Sequence, residues 1–588
     1  MSSRAAGPSL LNDFLKNVVD SIRSKNGQRV TQLIQLDFEG MNLEQQKPYS
    51  NLNAQLNAQF PRDNDAGLVD HCKQAISSEE FGSFSSSFSD SIIHYFRYVR
   101  DFTTADNQQK AFEIRHLTSQ CITALGDSKY GVIMIPIVLS FSRTLAAIAT
   151  NLDRNPELLK QAVTPITSTT AAGEAQTKVS FTEDAANVLR DAFIKCLAGS
   201  PGTPRSTKPT PDDKRVGIYL TANSCLKLLF QCRKLRNAQQ IFNSIDAQSP
   251  PLSFYPAAQR VTYLYYLGRY HFANSHFYRA QIALQSAYDQ CHREALKHRK
   301  SILIYLIASN LCLGRFPSSK LLTRPEAEDV ARRFLPLCKL IKLGDLGAFR
   351  AYLDLDNQSA QWLLSKRILL QLRNRCEILV WRSLIRKTFV YAGYQGEDKK
   401  LPYLWLSHVQ RAAQYSLARQ TRPQTDVSAR FSPFGAVQPL NSRADTYVDP
   451  DFVDLDAAIN ETGFDLSSGT YDDSYVNQHP PSPPANEPGP SMFEVESVCM
   501  SLIQQGFLRG FVLHGSPRFA IPGAKAKGGP LVMGWPAIWE VVRSREQSED
   551  VPGWVKDVPG GGVKAGLGGS MAGRVVRLSG ARAVGVGS

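Results

Sequence analysis

One aromatic stretch, residues 260–291, constrains the fold of this chain more than any other. Its sequence, RVTYLYYLGRYHFANSHFYRAQIALQSAYDQC, has too many aromatic rings for a solvated helix and too many polar interruptions for a membrane span. Small residues at Gly268, Ala280 and Ala287 are spaced so that two consecutive helices can approach closely. Such a helical hairpin cannot bury its apolar side alone, so we expect it to stack on neighbouring hairpins.

The stretch is similar to the tetratricopeptide (TPR) template, with Leu264 and Leu267 before the glycine and Leu284 after it, although His271 stands where Tyr is usual. Further helix pairs are indicated at 216–231 with 235–245 and at 301–313 with 325–343. No second copy follows at the template's interval of about 34 residues. We therefore predict a mainly α fold of irregular TPR-like helical-hairpin repeats.

The first part of the chain, residues 1–198, also shows helical periodicity. Leu11, Leu15, Val18 and Ile22 fall on one stripe, and more helices are indicated near 88–102, 109–124, 129–150 and 183–198. Residues 199–213, GSPGTPRSTKPTPDD, cannot continue a helix and are predicted to be a linker. The apolar run 131–150 contains Pro136 and Arg143, so a buried core helix is favoured there over a membrane span.

The sharpest local pattern lies at residues 491–522. Ser491 and Glu494 have the spacing of a capping box, and Gly506 supplies a helix stop. Two short apolar runs, GFVLH and RFAIP, joined by GSP, then predict a β-hairpin. A helix followed by a hairpin is the end of a winged helix, which a helix at 401–416 could open. The intervening acidic residues 421–490 are predicted to be a disordered insertion.

Helical hairpins that run into a winged helix resemble the PCI domain. Residues 258–307 resemble more narrowly the branch that holds the Thp-type mRNA-export subunits, the PCI-domain-containing-protein-two type and the COP9 signalosome twelfth-subunit-like proteins. The segments LVWRSLIRKTFVY and VESVCMSLIQQGFLRGFVLH extend the similarity in order. It covers roughly residues 213–420 and 491–540 and suggests a fungal-type member.

The resemblance implies a scaffold subunit of a transcription-coupled mRNA-export (TREX-type) complex. The nucleus is the expected location of such a subunit, and the cytoplasm is a second one. Its expected partners are a Sac-type export scaffold, a small acidic Sem-type subunit, and RNA or DNA at the winged helix. The alternative is a COP9 signalosome-like or proteasome-lid-like assembly subunit whose partners are proteins only.

The chain departs from the family in its acidic insertion and in its glycine-rich end, which has no recognisable counterpart. The predicted organisation is an N-terminal helical region (1–198), a linker (199–213), the helical-repeat part of a PCI domain (214–395), a winged helix (396–542) interrupted at 421–490, and a disordered tail (543–588).

Catalytic motifs are absent from the sequence. It contains no GxxxxGK, GxSxG or HExxH, and its ten cysteines include no CxxC pair. We therefore expect no enzyme activity, no cofactor and no metal site. Scattered single cysteines without an N-terminal secretion signal are typical of a reducing compartment.

Charge is distributed unevenly. Residues 421–490 carry three Arg and eleven Asp or Glu, which leaves +22 on the remainder because the whole chain carries +14. Such a basic body favours a polyanionic partner, although composition alone is equally consistent with an ordinary soluble surface.

Two sets of residues are predicted to bind partners. Cations along SKRILLQLRNRCEILVWRSLIRK and the hairpin can neutralise phosphates if they are not simply solvated or paired with a protein partner. Rings on the repeat can anchor a partner, although stacking within the chain is the default. The nucleic-acid set is Lys366, Arg367, Arg373, Arg375, Arg382, Arg386, Lys387, Arg509, His514, Arg518, Lys525 and Lys527, and the partner set is Tyr263, Tyr266 and Phe277.

Overall fold

A computed structural model describes residues 10–36, 42–76, 81–103, 107–154, 180–198, 213–396, 400–421, 452–454 and 489–546. The described chain is mainly helical, as predicted. The N-terminal helices are α1 (Leu10–Arg23), α2 (Gly27–Leu33), α3 (Leu43–Gln59), α4 (Asp65–Ile76), α5 (Ser83–Asp101), α6 (Asn107–Leu125), α7 (Ile135–Arg154) and α8 (Phe181–Leu197).

The central part contains α9 (Ile218–Gln231), α10 (Leu235–Gln248), α11 (Ala257–Ala273), α12 (Phe277–Gln290), α13 (Leu296–Cys312), β1 (Arg315–Pro317), α14 (Ser319–Leu322), α15 (Glu328–Leu343), α16 (Leu346–Tyr352), α17 (Gln358–Ser365) and α18 (Leu369–Ala392). The C-terminal part contains β2 (Tyr403–Trp405), α19 (Leu406–Thr421), β3 (Phe452–Asp454), α20 (Met492–Gln504), β4 (Phe511–Leu513), β5 (Arg518–Ala520), α21 (Pro530–Gly534) and α22 (Ile538–Glu546).

The N-terminal helices pack through the stripes that the sequence indicates. Leu11, Leu15, Val18 and Ile22 of α1 are all buried. The stack continues into the central part, since α8 packs on α9 and the Cys225 thiol lies 3.3 Å from the Ala186 carbonyl oxygen. The predicted linker, residues 199–213, lies outside the described residues except for Asp213.

The apolar stretch that includes α7 is a packed helix. Among the described residues, Gly131–Arg154 is the one helical segment long and apolar enough to cross a membrane, and 56% of its most apolar window is buried inside the protein. Its neighbours are α2, α6, α8 and α9. Packing within the fold accounts for its composition, as the interrupted sequence indicates.

The hairpin α11–α12 shows why the template needs a small residue at Gly268. A Cβ atom there would lie 2.5 Å from Cγ of Leu284 and 3.3 Å from the Ala280 carbonyl oxygen. Ala280, Leu284 and Ala287 are completely buried. The two helices therefore touch at backbone distance, and the predicted hairpin is confirmed.

His271 occupies the aromatic position of the template with an imidazole ring. It is 3% exposed, and neither ring nitrogen has a hydrogen-bond partner in the described part of the chain. Burial, followed by the positive charge of Arg279 and then of His276, lowers the pKa of His271 to about 3. The ring is therefore neutral in the folded protein at physiological pH.

We expect His271→Leu to make the protein less sensitive to acid. The unfolded chain takes up a proton near the ordinary histidine pKa of about 6.5, whereas folded His271 does so only near 3, so this residue lowers stability as pH falls through that window. Between about pH 7 and pH 5 the wild type should lose about 2 kcal/mol more free energy of unfolding than the variant. Urea denaturation at the two pH values measures it. Equal losses in both proteins would contradict the prediction.

The C-terminal part contains the predicted winged helix. The capping box of α20 is complete: the Glu494 amide donates to Ser491 Oγ (3.2 Å), and the Ser491 amide donates to Glu494 Oε2 (2.8 Å). Strands β4 and β5 form the predicted hairpin, which packs with α20. The order of the antiparallel sheet is β2-β5-β4.

Three predicted boundaries differ from the structure. The helix expected from residue 401 begins at Leu406, because Tyr403–Trp405 pair with β5 as a strand and bury Leu404. Phe452–Asp454, inside the insertion predicted to be disordered, form β3 antiparallel to β1. Helix α22 extends to Glu546, past the expected start of the tail at 543. The rest of the insertion and tail lies outside the described residues, apart from Thr421 and residues 489–490.

Candidate nucleic-acid interface

Arg382 lies at the junction between the repeats and the winged helix. Its side chain is completely buried on α18. Nε donates to the Phe507 carbonyl oxygen at 2.8 Å, and Nη2 donates to the Pro536 carbonyl oxygen at 2.7 Å. The guanidinium thus joins α18 to two loops of the winged helix, and the prediction that Arg382 contacts nucleic acid is wrong.

Two neighbouring cations on α18 are also buried or partly buried. Arg386 is 6% exposed, which excludes it from a surface contact and corrects its predicted role. Lys387 is half-buried, and burial lowers the pKa of its ammonium group. The physical reason is that α18 packs against seven neighbouring elements, namely α13, α15, α16, α17, α19, α20 and β2, which cover the part of the helix that carries Arg382 and Arg386.

We expect Arg382→Gln to lower the free energy of unfolding by about 3 kcal/mol, because it leaves buried carbonyl groups without a charged donor. Urea denaturation of the whole chain measures the loss. Arg373→Gln, on the exposed side of the same helix, should change stability by less than about 0.5 kcal/mol. Similar stabilities for the two variants would contradict the structural role of Arg382.

The remaining cations of α18 lie at its N-terminal half. Arg373 is exposed. Arg375 lines an open groove of 470 Å³ together with Phe277, and its Nη1 donates to Gln505 Oε1 at 3.1 Å. Its guanidinium also lies 5.2 Å from the centre of the Phe507 ring. The structure therefore brings one predicted cation and one predicted partner residue together in this groove.

The outward side of the β2-β5-β4 sheet carries aromatic rings and a cation. Trp405 pairs with Arg518, whose guanidinium lies 3.7 Å from the centre of the indole ring and 5.0 Å from that of Tyr403. On β4, Phe511 and Leu513 are 41% and 44% exposed. Phe519, which points the opposite way, is completely buried. We call Tyr403, Trp405, Phe511, Leu513 and Arg518 the outer sheet face.

The other predicted cations of this region surround the sheet. Arg509 is exposed, and its backbone amide donates to the Gly534 carbonyl oxygen at 2.9 Å. His514 is exposed and its Nδ1 lies 2.7 Å from Glu496 Oε1, so a carboxylate already accompanies it. Lys525 is exposed on a short 3-10 turn. The side chain of Lys527 lies outside the described residues.

The repeat residues separate into three environments. Tyr263 is completely buried, within 4.9 Å of the Tyr219 ring centre, which corrects its predicted role in binding a partner. Phe277 lines the groove with Arg375. Tyr266 lines a second cleft that also contains Lys366 and Arg367.

Buried thiols are poor nucleophiles here. Burial raises the pKa of Cys72 and of Cys121 to about 12, and the same cause raises that of Cys499 to about 12. Within the described ranges, no three His, Cys, Asp or Glu side chains cluster in a way that could hold a metal ion. These buried thiols are therefore held in their neutral form at physiological pH.

Several known proteins are similar to this chain in sequence. Over 515 residues the chain is 25% identical to a PCI domain-containing protein of Schizosaccharomyces pombe, covering 86% of this chain and 91% of that protein. It is 32% identical over 217 residues to a CSN12 homolog of Neurospora crassa (36% and 45% of the two chains) and 28% identical over 213 residues to PCI domain-containing protein 2 of Xenopus laevis (36% and 47%). The chain belongs to the PCI-domain family.

This membership fits the order of elements in the PCI part, where α9 to α18 precede the winged helix. The matches to the Neurospora and Xenopus proteins span less than half the length of either relative. No protein-family model matches the chain.

Sequence reasoning missed Phe511 and Leu513 on the outer sheet face, and it missed the third strand that aligns Trp405 with Arg518. Alternation is the available signal: Tyr403 and Trp405 flank a buried Leu404, and Phe511 and Leu513 flank Val512. Three-residue strands are too short for this alternation to be distinctive.

Proposed function

We propose that this PCI protein is a non-catalytic scaffold subunit of a transcription-coupled mRNA-export (TREX-type) complex that binds RNA or DNA through its winged helix. The outer sheet face is the observation that carries the proposal. Exposed rings beside a guanidinium give bases a surface to stack on, while cations neutralise phosphates. Arg509 and Lys525 extend the positive charge around the sheet.

The export assignment comes from the sequence resemblance to the branch that holds the mRNA-export subunits and the PCI-domain-containing-protein-two type, and relatives with the latter name are among those similar to this chain. In this role the PCI part would bind a Sac-type export scaffold and a small acidic Sem-type subunit in the nucleus. The groove between α12 and α18, with Phe277 beside Arg375, offers an apolar and cationic surface of the kind that an acidic peptide needs.

We expect Arg509→Gln combined with Arg518→Gln to weaken nucleic-acid binding. Every phosphate of a single strand that a cation neutralises steepens the fall of log affinity with log salt by about 0.7, so the slope of the double variant should be shallower by about 1.4. Electrophoretic shift titrations of the whole chain at about 50 and about 200 mM salt measure it.

The matched control is Arg293→Gln combined with Lys320→Gln, which removes the same charge from two exposed positions of the repeats, outside the sequence of the winged helix. It should retain the wild-type slope. Failure of the wild-type chain to bind RNA or DNA would overturn the nucleic-acid part of the proposal, and equally shallow slopes in the two double variants would overturn the assignment to the winged helix.

A second candidate function is favoured by relatives named CSN12 homolog, which point to a COP9 signalosome-like or proteasome-lid-like assembly subunit with protein partners only. Affinity purification of the whole chain from cell extract, with mass spectrometry of the bound proteins, separates the two. The export proposal expects the Sac-type scaffold and the Sem-type subunit. Signalosome or lid subunits in their place would favour the alternative.

A further inference from the structure

A second cationic site lies in the repeats, apart from the winged helix. A cleft of 320 Å³ opens between α9, α11 and α13 and the turn that follows α17. Four cations line it: Lys227, Arg269, Lys366 and Arg367. We call it the arginine cleft. Its walls include the partly exposed rings of Tyr265 and Tyr266.

Arg269 lies among aromatic rings. Its guanidinium carbon is 4.9 Å from the ring centres of both Phe230 and Tyr305, and 5.3 Å from that of Tyr265. Nη1 donates to the Tyr265 hydroxyl at 3.4 Å. Among the described residues, no carboxylate forms an ion pair with Arg269. A guanidinium has five donor hydrogens, so most of its hydrogen-bonding capacity is unused.

Another arginine of the same repeats shows what a completed structural site looks like. Arg299 also packs on a ring, 4.1 Å from the centre of Tyr288, but its Nε donates to Glu326 Oε1 at 2.9 Å and its Nη1 to the Cys291 carbonyl oxygen at 3.0 Å. A buried charge normally needs such a partner. Arg269, which is partly exposed, resembles Arg299 in its rings but forms no ion pair with a carboxylate of the described residues.

The mouth of the cleft adds positive charge. Lys227 is exposed on α9, and Lys366 ends α17. Arg367 has a φ of 59°, in the left-handed region that costs a non-glycine residue energy, and its Nη1 donates to the Phe230 carbonyl oxygen at 2.6 Å. The fold thus holds a strained arginine at the edge of a site that is already positive.

The local electrostatics agree with this geometry. Burial, then the charges of Arg233 and Arg269, lower the pKa of Arg367, while Tyr305 and Asp153 act in the opposite direction. Asp153 keeps its negative charge near Arg367, and its Oδ2 accepts a hydrogen bond from Gln231 Nε2 at 2.6 Å. Among the residues that line the cleft itself, four are cations and none is Asp or Glu.

We propose that the arginine cleft binds a phosphate group of single-stranded RNA or DNA, as a second contact distinct from the outer sheet face. Because Arg269 forms no ion pair with a carboxylate of the described residues, we expect the ligand to be an anion. The ring-lined walls favour a phosphate attached to a planar base. The proposal rests on the proposed nucleic-acid binding and adds a site that a winged helix alone does not provide. Phosphate oxygens can accept hydrogen bonds from Arg269 and Lys227 together.

The test uses Lys227→Gln combined with Lys366→Gln in the whole chain. Arg269 and Arg367 are left in place because both also contact the surrounding fold, whereas the two lysine ammonium groups are at the surface or partly exposed. Affinity for an oligonucleotide of roughly 12 nucleotides, with and without a 5′-phosphate, is measured by fluorescence anisotropy. Thermal stability with inorganic pyrophosphate is measured in parallel.

We expect the cleft variant to bind the oligonucleotide about tenfold more weakly than wild type and to lose the stabilisation by pyrophosphate. The control pair Arg293→Gln with Lys320→Gln should retain both. A cleft variant that binds as wild type does, while the outer sheet face variant is weakened, would overturn the cleft site alone. A wild type that binds no oligonucleotide would overturn both proposals. Thermal stabilisation of the wild type by a phosphorylated peptide but not by an oligonucleotide would overturn nucleic-acid binding at the cleft and assign the cleft to a protein ligand.

Discussion

The buried guanidinium of Arg382 is the interaction on which the relation between the repeats and the winged helix depends. It donates hydrogen bonds to the carbonyl oxygens of Phe507 and Pro536, which lie in two loops far from α18 in the sequence. Because α18 also contacts the hairpin helices around it, a displacement of that helix would break these bonds. The winged helix and the repeats therefore pack as one unit, and the hydrogen bonds of a buried arginine help to hold them together.

The basic residues of the chain consequently perform three different tasks. Arg382 and Arg386 serve the interior, and Arg518 covers aromatic rings on the outer sheet face. Arg269 occupies a ring-lined cleft without an anionic partner among the described residues. The formal charge of +14 therefore does not show how much positive charge a polyanion can reach, because some of the cations are buried. The positions of the exposed cations matter more than their number.

Much of the architecture could be predicted from the sequence, because its strongest signals are local. The close contact at Gly268 follows from small residues at fixed offsets, and the start of α20 follows from the capping box. The candidate site was harder to predict from the sequence. Helical spacing shows that Arg382 and Arg373 lie on one helix, but burial depends on what packs against each side of α18, which is set by residues more than a hundred positions away. Arg269 was overlooked because its significance lies in a missing partner, which no single-sequence pattern reveals.

The pairing of β3 with β1 has a consequence for the acidic insertion. Phe452–Asp454 attach its middle to the repeats, whereas Thr421 and Gly489 attach its ends beside the winged helix. A chain fastened at three points explores far less volume than one fastened at two, since each closed segment is shorter. Pairing of β3 with β1 therefore replaces one long loop closure by two shorter ones, and the free energy of this three-residue pairing has to offset the entropy of the added closure.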